Sequence, residues 1–325
     1  MTVQWGVLST ARINGKFLGG VAQSTVAQVT AVASRDMIRA REYADEHRIE
    51  RAYGSYDALL ADPEIEAVYI SLPNSLHLHW TERALAAGKH VLCEKPLSRR
   101  AADVRAAFDV AEREGRLLME AFMYRHNPQT LRIAELVRAG AIGRLRMIRG
   151  AFSFPLADGA NVRLDHDLDG GALMDVGCYC VNAARLLAGE PDLVTGLQVT
   201  GGDGVDIAFT GAMRFRDDVL AHFDAGFVLS ARDELEVAGE EGSLFAADPW
   251  HAREPVIELR RDGEVQRLEL ELADSYRLEA ENLSAAIRDG TPPLLGRADA
   301  VGQARAIEAL YEAAASRRAV LPGDE

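Results

Sequence analysis

A lysine and a pair of proton-carrying side chains are the residues in this sequence best suited to chemistry. Lys95 follows a short apolar run and precedes Pro96, which restricts the backbone and disfavours a helix at the lysine. Asp175 and Tyr179 are four residues apart, a spacing that puts both on one face of a helix. Such groups could move a hydroxyl proton and orient its oxygen. Each also has a structural interpretation, as a solvated lysine, a helix cap and a packed aromatic ring.

The first part of the chain repeats a strand followed by a helix. Apolar runs predict strands at Val3–Leu8, Gln28–Ala33, Ala67–Ser71, His90–Cys93 and Leu117–Ala121. Continuously apolar strands that alternate with helices form parallel sheets covered on both faces. We therefore predict an α/β Rossmann-type domain with a doubly wound parallel sheet over residues 1–122. Ligands of such domains bind at the carboxyl ends of the strands.

The rest of the chain has a different pattern, and 325 residues are too many for one ordinary core. Alternating runs predict strands at Leu145–Phe154, Ile207–Phe215, Val219–Phe227, Leu235–Ala238 and Val256–Leu259. Hairpin turns are predicted at Arg216–Asp218 and Asp262-Gly263, and helices near Asp175, at Ser275–Arg288 and at Ala298–Ser316. Residues 123–325 thus predict an α+β domain with a large, open, mainly antiparallel sheet. An open sheet of this kind favours a homodimer or higher homo-oligomer formed through it.

Two strand ends in the first half could hold a dinucleotide. The first strand runs into Ser9-Thr10-Ala11-Arg12-Ile13-Asn14, where such a fold has a glycine-rich turn, although Ser9, Ala11 and Asn14 stand in place of the glycines. An ordinary strand-to-helix turn fits this segment equally well. The second strand ends in Ser34-Arg35-Asp36, and a hydroxyl beside a guanidinium suits a ribose 2′-phosphate. NADP is therefore favoured over NAD, while Asp36 leaves open a carboxylate displaced by one position.

The motifs that carry a family resemblance cover nearly the whole chain. They are Gly6–Ile13, Leu72–His77, Glu94-Lys95-Pro96, Glu120–Arg125 and Gly170–Tyr179. In this order and spacing they resemble the glucose-fructose oxidoreductase, inositol dehydrogenase and rhizopine-catabolism family (Gfo/Idh/MocA). Within the family, Ser34-Arg35 and Tyr179 look like the branch of dimeric dihydrodiol dehydrogenases and NADP-dependent D-xylose 1-dehydrogenases. Inositol dehydrogenases carry histidine where this chain has Tyr179, which makes an inositol a less expected substrate.

The resemblance implies an NAD(P)-dependent dehydrogenase or reductase. It would transfer a hydride between the nicotinamide and a carbinol carbon of a sugar, cyclic polyol or dihydrodiol. Lys95 would act with Tyr179 as the favoured base, although Asp175 fits the role of base equally well by residue type. A ketoreductase acting on a nucleotide-linked or modified sugar, or an NADP-sensing regulator without turnover, are the alternatives.

The resemblance also implies contacts for the cofactor and the substrate. The cofactor contacts are Ser9, Thr10, Ala11, Arg12, Ile13, Ser34, Arg35, Leu72, Pro73, Asn74, His77, Glu94, Lys95 and Arg125. The substrate contacts are Lys95, Asn161, Arg163, Asp175 and Tyr179, with specificity expected from the loop over residues 155–169. Phe154 and Trp250 could stack on a sugar ring, or belong to the core.

Composition argues against other classes of partner. A net charge of −14 opposes binding to nucleic acid and to anionic membranes. No apolar run approaches the roughly 20 residues that cross a bilayer, and the first residues lack a secretory pattern, so we expect a cytoplasmic protein. The histidines and the three cysteines show no metal-ligand spacing, so we predict no metal and interpret Cys93, Cys178 and Cys180 as buried thiols.

Overall fold

The computed structural model describes residues 1–156 and 161–323 and divides into two compact units. The first unit comprises Met1–Ser98, Ala102–Met123 and Asp274–Val301. The second comprises Arg99–Ala101, Tyr124–Ala273 and Gly302–Glu325. The division predicted from the sequence, into domains of residues 1–122 and 123–325, stays a proposal. The first unit adds residues 274–301, which the sequence division counts with the second domain.

The first unit contains a six-stranded parallel sheet in the order β3-β2-β1-β4-β5-β6. Its strands are β1 Val3–Leu8, β2 Ala27–Ala33, β3 Arg51–Tyr53, β4 Ala67–Ile70, β5 His90–Glu94 and β6 Leu118–Ala121. The predicted Rossmann-type sheet is therefore confirmed. The edge strand β3 was not predicted, because its three half-buried residues are too few to show a pattern.

Nine α-helices are assigned among the described residues. They are α1 Asn14–Val21, α2 Met37–His47, α3 Tyr56–Leu60, α4 His77–Ala86, α5 Ala101–Glu114, α6 Pro128–Arg138, α7 Cys178–Ala188, α8 Ser275–Asp289 and α9 Arg297–Ser316. None of them is both long and apolar enough to cross a membrane. The helix α8 packs against α1 at Gly20, which has no side chain to separate the two backbones. A Cβ at Gly20 would lie 2.7 Å from the backbone nitrogen of Arg277. Between sheet and helices, the ring of Phe17 stacks on that of Tyr69 at 4.0 Å.

The second unit contains an eight-stranded sheet in the order β14-β13-β12-β11-β7-β10-β9-β8. Its strands are β7 Leu145–Ser153, β8 Leu193–Thr200, β9 Asp206–Phe215, β10 Val219–Gly226, β11 Arg232–Gly239, β12 Ser243–Ala246, β13 Val256–Arg261 and β14 Glu264–Glu269. Among the strands of the described residues in this sheet, only β7 and β10 pair in parallel, so the prediction of a mainly antiparallel sheet is confirmed. The edge strands β8 and β14 were missed because they are largely exposed and show little alternation. The strand β12 was also missed, because its four residues are too few to show a pattern.

Both predicted hairpin turns are present in this sheet. Asp217 and Asp218, with φ of 60° and 58°, join β9 to β10. Asp262 and Gly263, with φ of 55° and 79°, join β13 to β14. Two consecutive positive φ angles match the right-handed twist of the flanking strands, which explains why these short polar sequences turn the chain.

The helix α7 lies on one face of this sheet. Gly150 of β7 allows the close approach, since a Cβ there would lie 3.1 Å from Cβ of Cys180. The three cysteines are buried and unbridged, as predicted, and burial raises the pKa of the Cys93 and Cys180 thiols well above the ordinary value. Immediately before α7, residues Leu173–Gly177 form one turn of π-helix. This turn carries Asp175, and α7 carries Tyr179.

Candidate active site

A buried polar network lies at the turn after β1. Ser9 adopts a φ of 137°, a conformation that favours glycine, and its Oγ accepts a hydrogen bond from the Ala11 N–H at 3.1 Å. The amide of Asn14 donates to the Ser9 carbonyl at 2.9 Å. Ser71, after β4, donates from its hydroxyl to the Asn14 side-chain oxygen at 2.5 Å. Ser9 and Asn14 stand at positions that are glycine in the motif. Their hydrogen bonds connect this turn to Ser71 at the end of the neighbouring strand β4.

The start of α1 offers main-chain donors to an anion. Throughout residues 1–156 and 161–323, the N–H groups of Thr10, Arg12 and Ile13 donate no hydrogen bond to a protein acceptor. The helix also has no side-chain cap. Free N–H groups at the first turn of a helix, together with its dipole, attract phosphate groups. The donor set at this turn therefore fits the pyrophosphate of a dinucleotide.

The turn after β2 distinguishes the two nicotinamide cofactors. Asp36 is the N-cap of α2, and its Oδ1 accepts from the N–H groups of Ile38 at 2.7 Å and Arg39 at 3.1 Å. Its carboxylate is therefore engaged by the helix, unlike the carboxylate that binds a ribose 2′-hydroxyl. Arg35 is exposed and forms no ion pair with a described residue. This arrangement fits a 2′-phosphate.

A second arginine lies at this turn, and the sequence pattern did not single it out. Arg39 is exposed on the first turn of α2 and likewise has no ion-pair partner in the described part of the chain. Burial raises the pKa of Tyr56, and the positive charges of Arg35 and Arg39 both oppose that rise. The signal available in the sequence was the spacing of four residues between the two arginines.

The loops after β4 and β5 are joined by a histidine. His77 is buried, and its Nε2 lies 2.8 Å from the carbonyl oxygen of Leu72. Its Nδ1 lies 2.9 Å from the carbonyl oxygen of Pro96. Pro73 and Asn74 begin the short turn between these anchors. The ring of His77 thus links two loops, and its contact with a cofactor stays a prediction.

Lys95 follows β5 directly and is half-buried, and its peptide bond to the next residue is cis. Oε1 of Glu94 accepts from the Tyr69 hydroxyl at 2.5 Å, and Oε2 accepts from the Lys95 N–H at 3.3 Å. Glu120, on β6, accepts from the Leu97 N–H at 2.9 Å. Burial and the charge of Glu94 raise the pKa of Tyr69 well above its ordinary value, which keeps the phenol protonated as a donor. Two carboxylates therefore fix the backbone at the lysine and two residues after it.

The second unit brings three predicted substrate contacts together. Oδ2 of Asp175 accepts from Nε of Arg163 at 2.6 Å. The side chain of Asn161 accepts from the Arg163 N–H at 3.1 Å, and the Arg163 guanidinium lies 5.9 Å from the ring of Phe154. The N-cap of the π turn is Ala172, so the interpretation of Asp175 as a helix cap is wrong. Residues 157–160 of the predicted specificity loop lie outside the described residues.

Tyr179 belongs to a cluster of aromatic rings and is 8% exposed. Its ring centroid lies 5.3 Å from that of Phe152, 5.6 Å from that of Tyr124 and 5.9 Å from that of Trp250. Trp250 is fully buried and donates its indole N–H to the Ala151 carbonyl at 3.0 Å. Trp250 is therefore a core residue and presents no face to a sugar. The packed ring of Tyr179 has a fixed direction, which suits a proton-transferring group.

Arg125 is 9% exposed and belongs to the second unit, where it is part of a polar cluster around Asn182. Its Nη1 donates to the Asn182 side-chain oxygen at 2.9 Å, and the Tyr124 hydroxyl donates to the same oxygen at 2.6 Å. The amide of Asn182 donates in turn to Gln303 at 3.2 Å. The contact of Arg125 with a cofactor stays a prediction.

A charged cluster beside the aromatic rings was not apparent from the sequence. Asp233 of β11 accepts from Nδ1 of His251 at 2.7 Å and from the Trp250 N–H at 3.2 Å. Asp248 pairs with Arg253 at 2.7 Å. The two carboxylates and the imidazole are close enough to share a metal ion, but Arg253 already supplies positive charge to both carboxylates. The cluster therefore fixes the loop that carries Trp250.

Two family models match this chain. Residues 3–122 match an oxidoreductase family with an NAD-binding Rossmann fold, and residues 130–245 match the GFO/IDH/MocA C-terminal domain. The fold and these matches define an oxidoreductase with a dinucleotide-binding domain. The chain belongs to the Gfo/Idh/MocA family, as its motifs implied.

Individual relatives agree with the predicted branch of the family. The chain is 42% identical to D-xylose 1-dehydrogenase (NADP(+)) 2 of Haloferax volcanii, over 98% of this chain and 99% of that protein. It is 34% identical to a trans-1,2-dihydrobenzene-1,2-diol dehydrogenase of Xenopus laevis, over 75% of each. A crystal structure of a 3-ketoreductase from Actinomadura kijaniata with NADP and TDP-benzene has a TM-score of 0.91 and 30% identity, and covers 96% of this chain and 98% of that chain.

Proposed function

We propose that this protein is an NADP-dependent oxidoreductase that transfers a hydride between the nicotinamide and a carbinol carbon of a sugar, cyclic polyol or dihydrodiol. The observation that carries the cofactor assignment is the turn after β2, where Asp36 caps α2 while the guanidinium of Arg35 has no anionic partner among the described residues. The names of the xylose and dihydrodiol relatives support the substrate class.

The cofactor would be held by groups of the first unit. The N–H groups before α1 would bind the pyrophosphate, and Ser34 and Arg35 would bind the 2′-phosphate. We add Arg39 to this set because its charge acts on the same ring as that of Arg35. When bound, NADP supplies the hydride acceptor or donor. The remaining chemistry, which is movement of a proton at the substrate oxygen, falls to side chains of this chain.

We assign the proton chemistry to Lys95, Tyr179 and Asp175. The ammonium group of Lys95 would hold the substrate oxygen and stabilise negative charge that develops on it. Tyr179 would take the hydroxyl proton during oxidation and return it during reduction, which for a phenol requires a nearby cation. Oδ2 of Asp175 is engaged by Arg163, which suits it to orienting the substrate. We therefore favour Tyr179 as the base.

A pair of substitutions separates the two candidate bases. Tyr179→Phe should lower kcat about 100-fold, the usual contribution of one acid-base group, and should abolish the rise of kcat/KM on the alkaline side of neutral pH. Asp175→Asn should mainly raise KM and keep the pH dependence. Steady-state kinetics across pH, with Tyr53→Phe in the first unit as control, measure both. Loss of the pH dependence in Asp175→Asn alone would assign the proton to the aspartate.

A second candidate substrate is a nucleotide-linked keto sugar, which the solved 3-ketoreductase favours. The same residues would then act in the direction of reduction, with Tyr179 as proton donor. Free TDP separates the two candidates, because a site shaped for a nucleotide-linked sugar binds it. Turnover of a free aldopyranose that TDP does not inhibit supports the first candidate, and strong competitive inhibition supports the second.

We also propose that the protein forms a homodimer through the open face of the second sheet. That face exposes Leu197, Leu220 and Met147 by 66%, 45% and 36%. Light scattering should give twice the chain mass of 35.3 kDa for the wild type and a single chain for the Leu197→Glu, Leu220→Glu double variant, since buried carboxylates cost several kcal/mol. The control is Leu272→Glu, in an exposed loop. A wild-type protein that stays monomeric at about 100 µM, well above the dissociation constant of a stable dimer, contradicts the proposal.

A further inference from the structure

A buried carboxylate holds the beginning of the π turn that carries Asp175. Asp206, the first residue of β9, is 3% exposed. Its Oδ2 accepts from the Leu173 N–H, the first residue of the turn, at 2.7 Å. Its Oδ1 accepts from the Tyr311 hydroxyl of α9 at 2.8 Å. Both oxygens therefore act as acceptors, which is the behaviour of an ionised carboxylate.

Two consecutive glycines bring this carboxylate against the turn. A Cβ on Gly171, whose φ is 127°, would lie 2.2 Å from Oδ1 of Asp206. A Cβ on Gly170 would lie 2.4 Å from the carbonyl oxygen of Arg163. Any larger residue at either position would separate the strand, the turn and the arginine. The glycine pair thus couples Asp206 on one side to the ion pair of Arg163 and Asp175 on the other.

The charged and titratable groups around Asp206 come from three segments. Tyr311 lies on α9, with the guanidinium of Arg99 4.7 Å from its ring. Arg99 pairs with Asp169, at the end of the loop before the glycines, and donates to the Gly170 carbonyl at 3.5 Å. Burial raises the pKa of Asp206 to about 6, and the bonds from Leu173 and Tyr311 and the charge of Arg99 oppose the rise.

We propose that Asp206 is a positioning residue for the reaction, whose ionised carboxylate sets the π turn and thereby the direction of Asp175 against Arg163. The inference rests on the proposed function of Asp175. It predicts a link between the protonation of Asp206 and activity, because a protonated carboxyl must donate from one oxygen and accepts less well from both neighbours. We therefore expect kcat/KM to fall as the pH drops through about 6.

The first test replaces the carboxylate with a carboxamide. Asp206→Asn should lower kcat/KM at neutral pH about 10-fold to 100-fold, with the fall of activity below pH 6 replaced by a flat profile. NADPH binding, measured by fluorescence, should change less than about two-fold, since the proposed cofactor donors belong to the first unit. Amide hydrogen exchange at Leu173 should accelerate. The control Asp62→Asn removes a buried carboxylate of the first unit and should keep the wild-type pH profile.

A second variant keeps the proposal falsifiable if Asp206→Asn does not fold. The Tyr311 hydroxyl lowers the pKa of Asp206, so Tyr311→Phe should raise that pKa and move the acidic fall of kcat/KM to higher pH. A structural role alone would lower stability without moving the pH profile. An unchanged profile in both folded variants, or in Tyr311→Phe alone if the other does not fold, overturns the inference.

Measuring Asp175→Asn in the same series separates this inference from the proposed function. If Asp175→Asn impairs the reaction while Asp206→Asn and Tyr311→Phe behave as wild type, only the positioning role fails. If Asp175→Asn itself leaves the kinetic constants unchanged, the proposed role of Asp175 fails, and the positioning of Asp175 fails with it.

Discussion

Replacement of Lys95 with methionine should lower kcat by about three orders of magnitude while NADPH still binds. Methionine retains the length of the aliphatic stem and removes the ammonium group, so the substrate oxygen loses both its orienting donor and its stabilising charge. The loss should therefore appear in kcat more than in the dissociation constant of the cofactor. Steady-state kinetics and fluorescence titration with NADPH measure the two effects separately.

A matched control is available because the chain has only three lysines. Lys16 is exposed on α1, so Lys16→Met removes an equal charge from the same unit and should retain wild-type turnover. A Lys95→Met protein with near-normal kcat would remove the lysine from the mechanism. Loss of NADPH binding in the same variant would instead make Lys95 a cofactor ligand.

Replacement of Arg35 with alanine should weaken NADPH binding about 100-fold and NADH binding less than about two-fold. A bidentate guanidinium–phosphate contact is a strong, charge-assisted interaction. NADH has no 2′-phosphate, so its binding does not depend on this contact. Arg39→Ala should show the same selectivity with a smaller loss, because Arg39 lies on the first turn of α2, beyond the loop that carries Arg35. Isothermal titration with both dinucleotides measures the ratio directly.

The control for the arginine is Arg41→Ala, which removes an exposed charge farther along α2. It should weaken NADPH and NADH binding only slightly, because it acts through the screened long-range field of the protein. Equal losses for both cofactors in Arg35→Ala would refute the 2′-phosphate assignment. In that case a general electrostatic effect would explain the role of Arg35.

The sequence predicted most of the fold because burial leaves a pattern. The strands β1, β2, β4, β5 and β6 are buried on both faces and appear as short apolar runs. The edge strands β3, β8 and β14 are short or exposed, so no periodicity identifies them. The predicted helix near Asp175 is one turn of π-helix followed by α7, a distinction that local sequence does not encode.

The residue types of the site could be predicted from the sequence, but most of the hydrogen bonds and ion pairs between them could not. The family resemblance made Asn161, Arg163 and Asp175 substrate candidates, but the ion pair between Arg163 and Asp175 depends on the fold. Asp206 is 33 residues from Leu173, and Tyr311 is 105 residues from Asp206, so these hydrogen bonds have no local signal. Similarly, the sequence left open whether Asp36 contacts a ribose, and the structure shows that Asp36 caps α2.

The most direct test of the account is NADP⁺ reduction by the purified protein against a panel of aldopyranoses, inositols and trans-dihydrodiols, with NAD⁺ measured in parallel. We predict that at least one aldopyranose or dihydrodiol supports hydride transfer, with kcat/KM for NADP⁺ at least about 10-fold above that for NAD⁺, and that Lys95→Met abolishes it. Tight NADPH binding without hydride transfer to or from any member of the panel, or its keto counterparts, would contradict the account. So would faster turnover with NAD⁺.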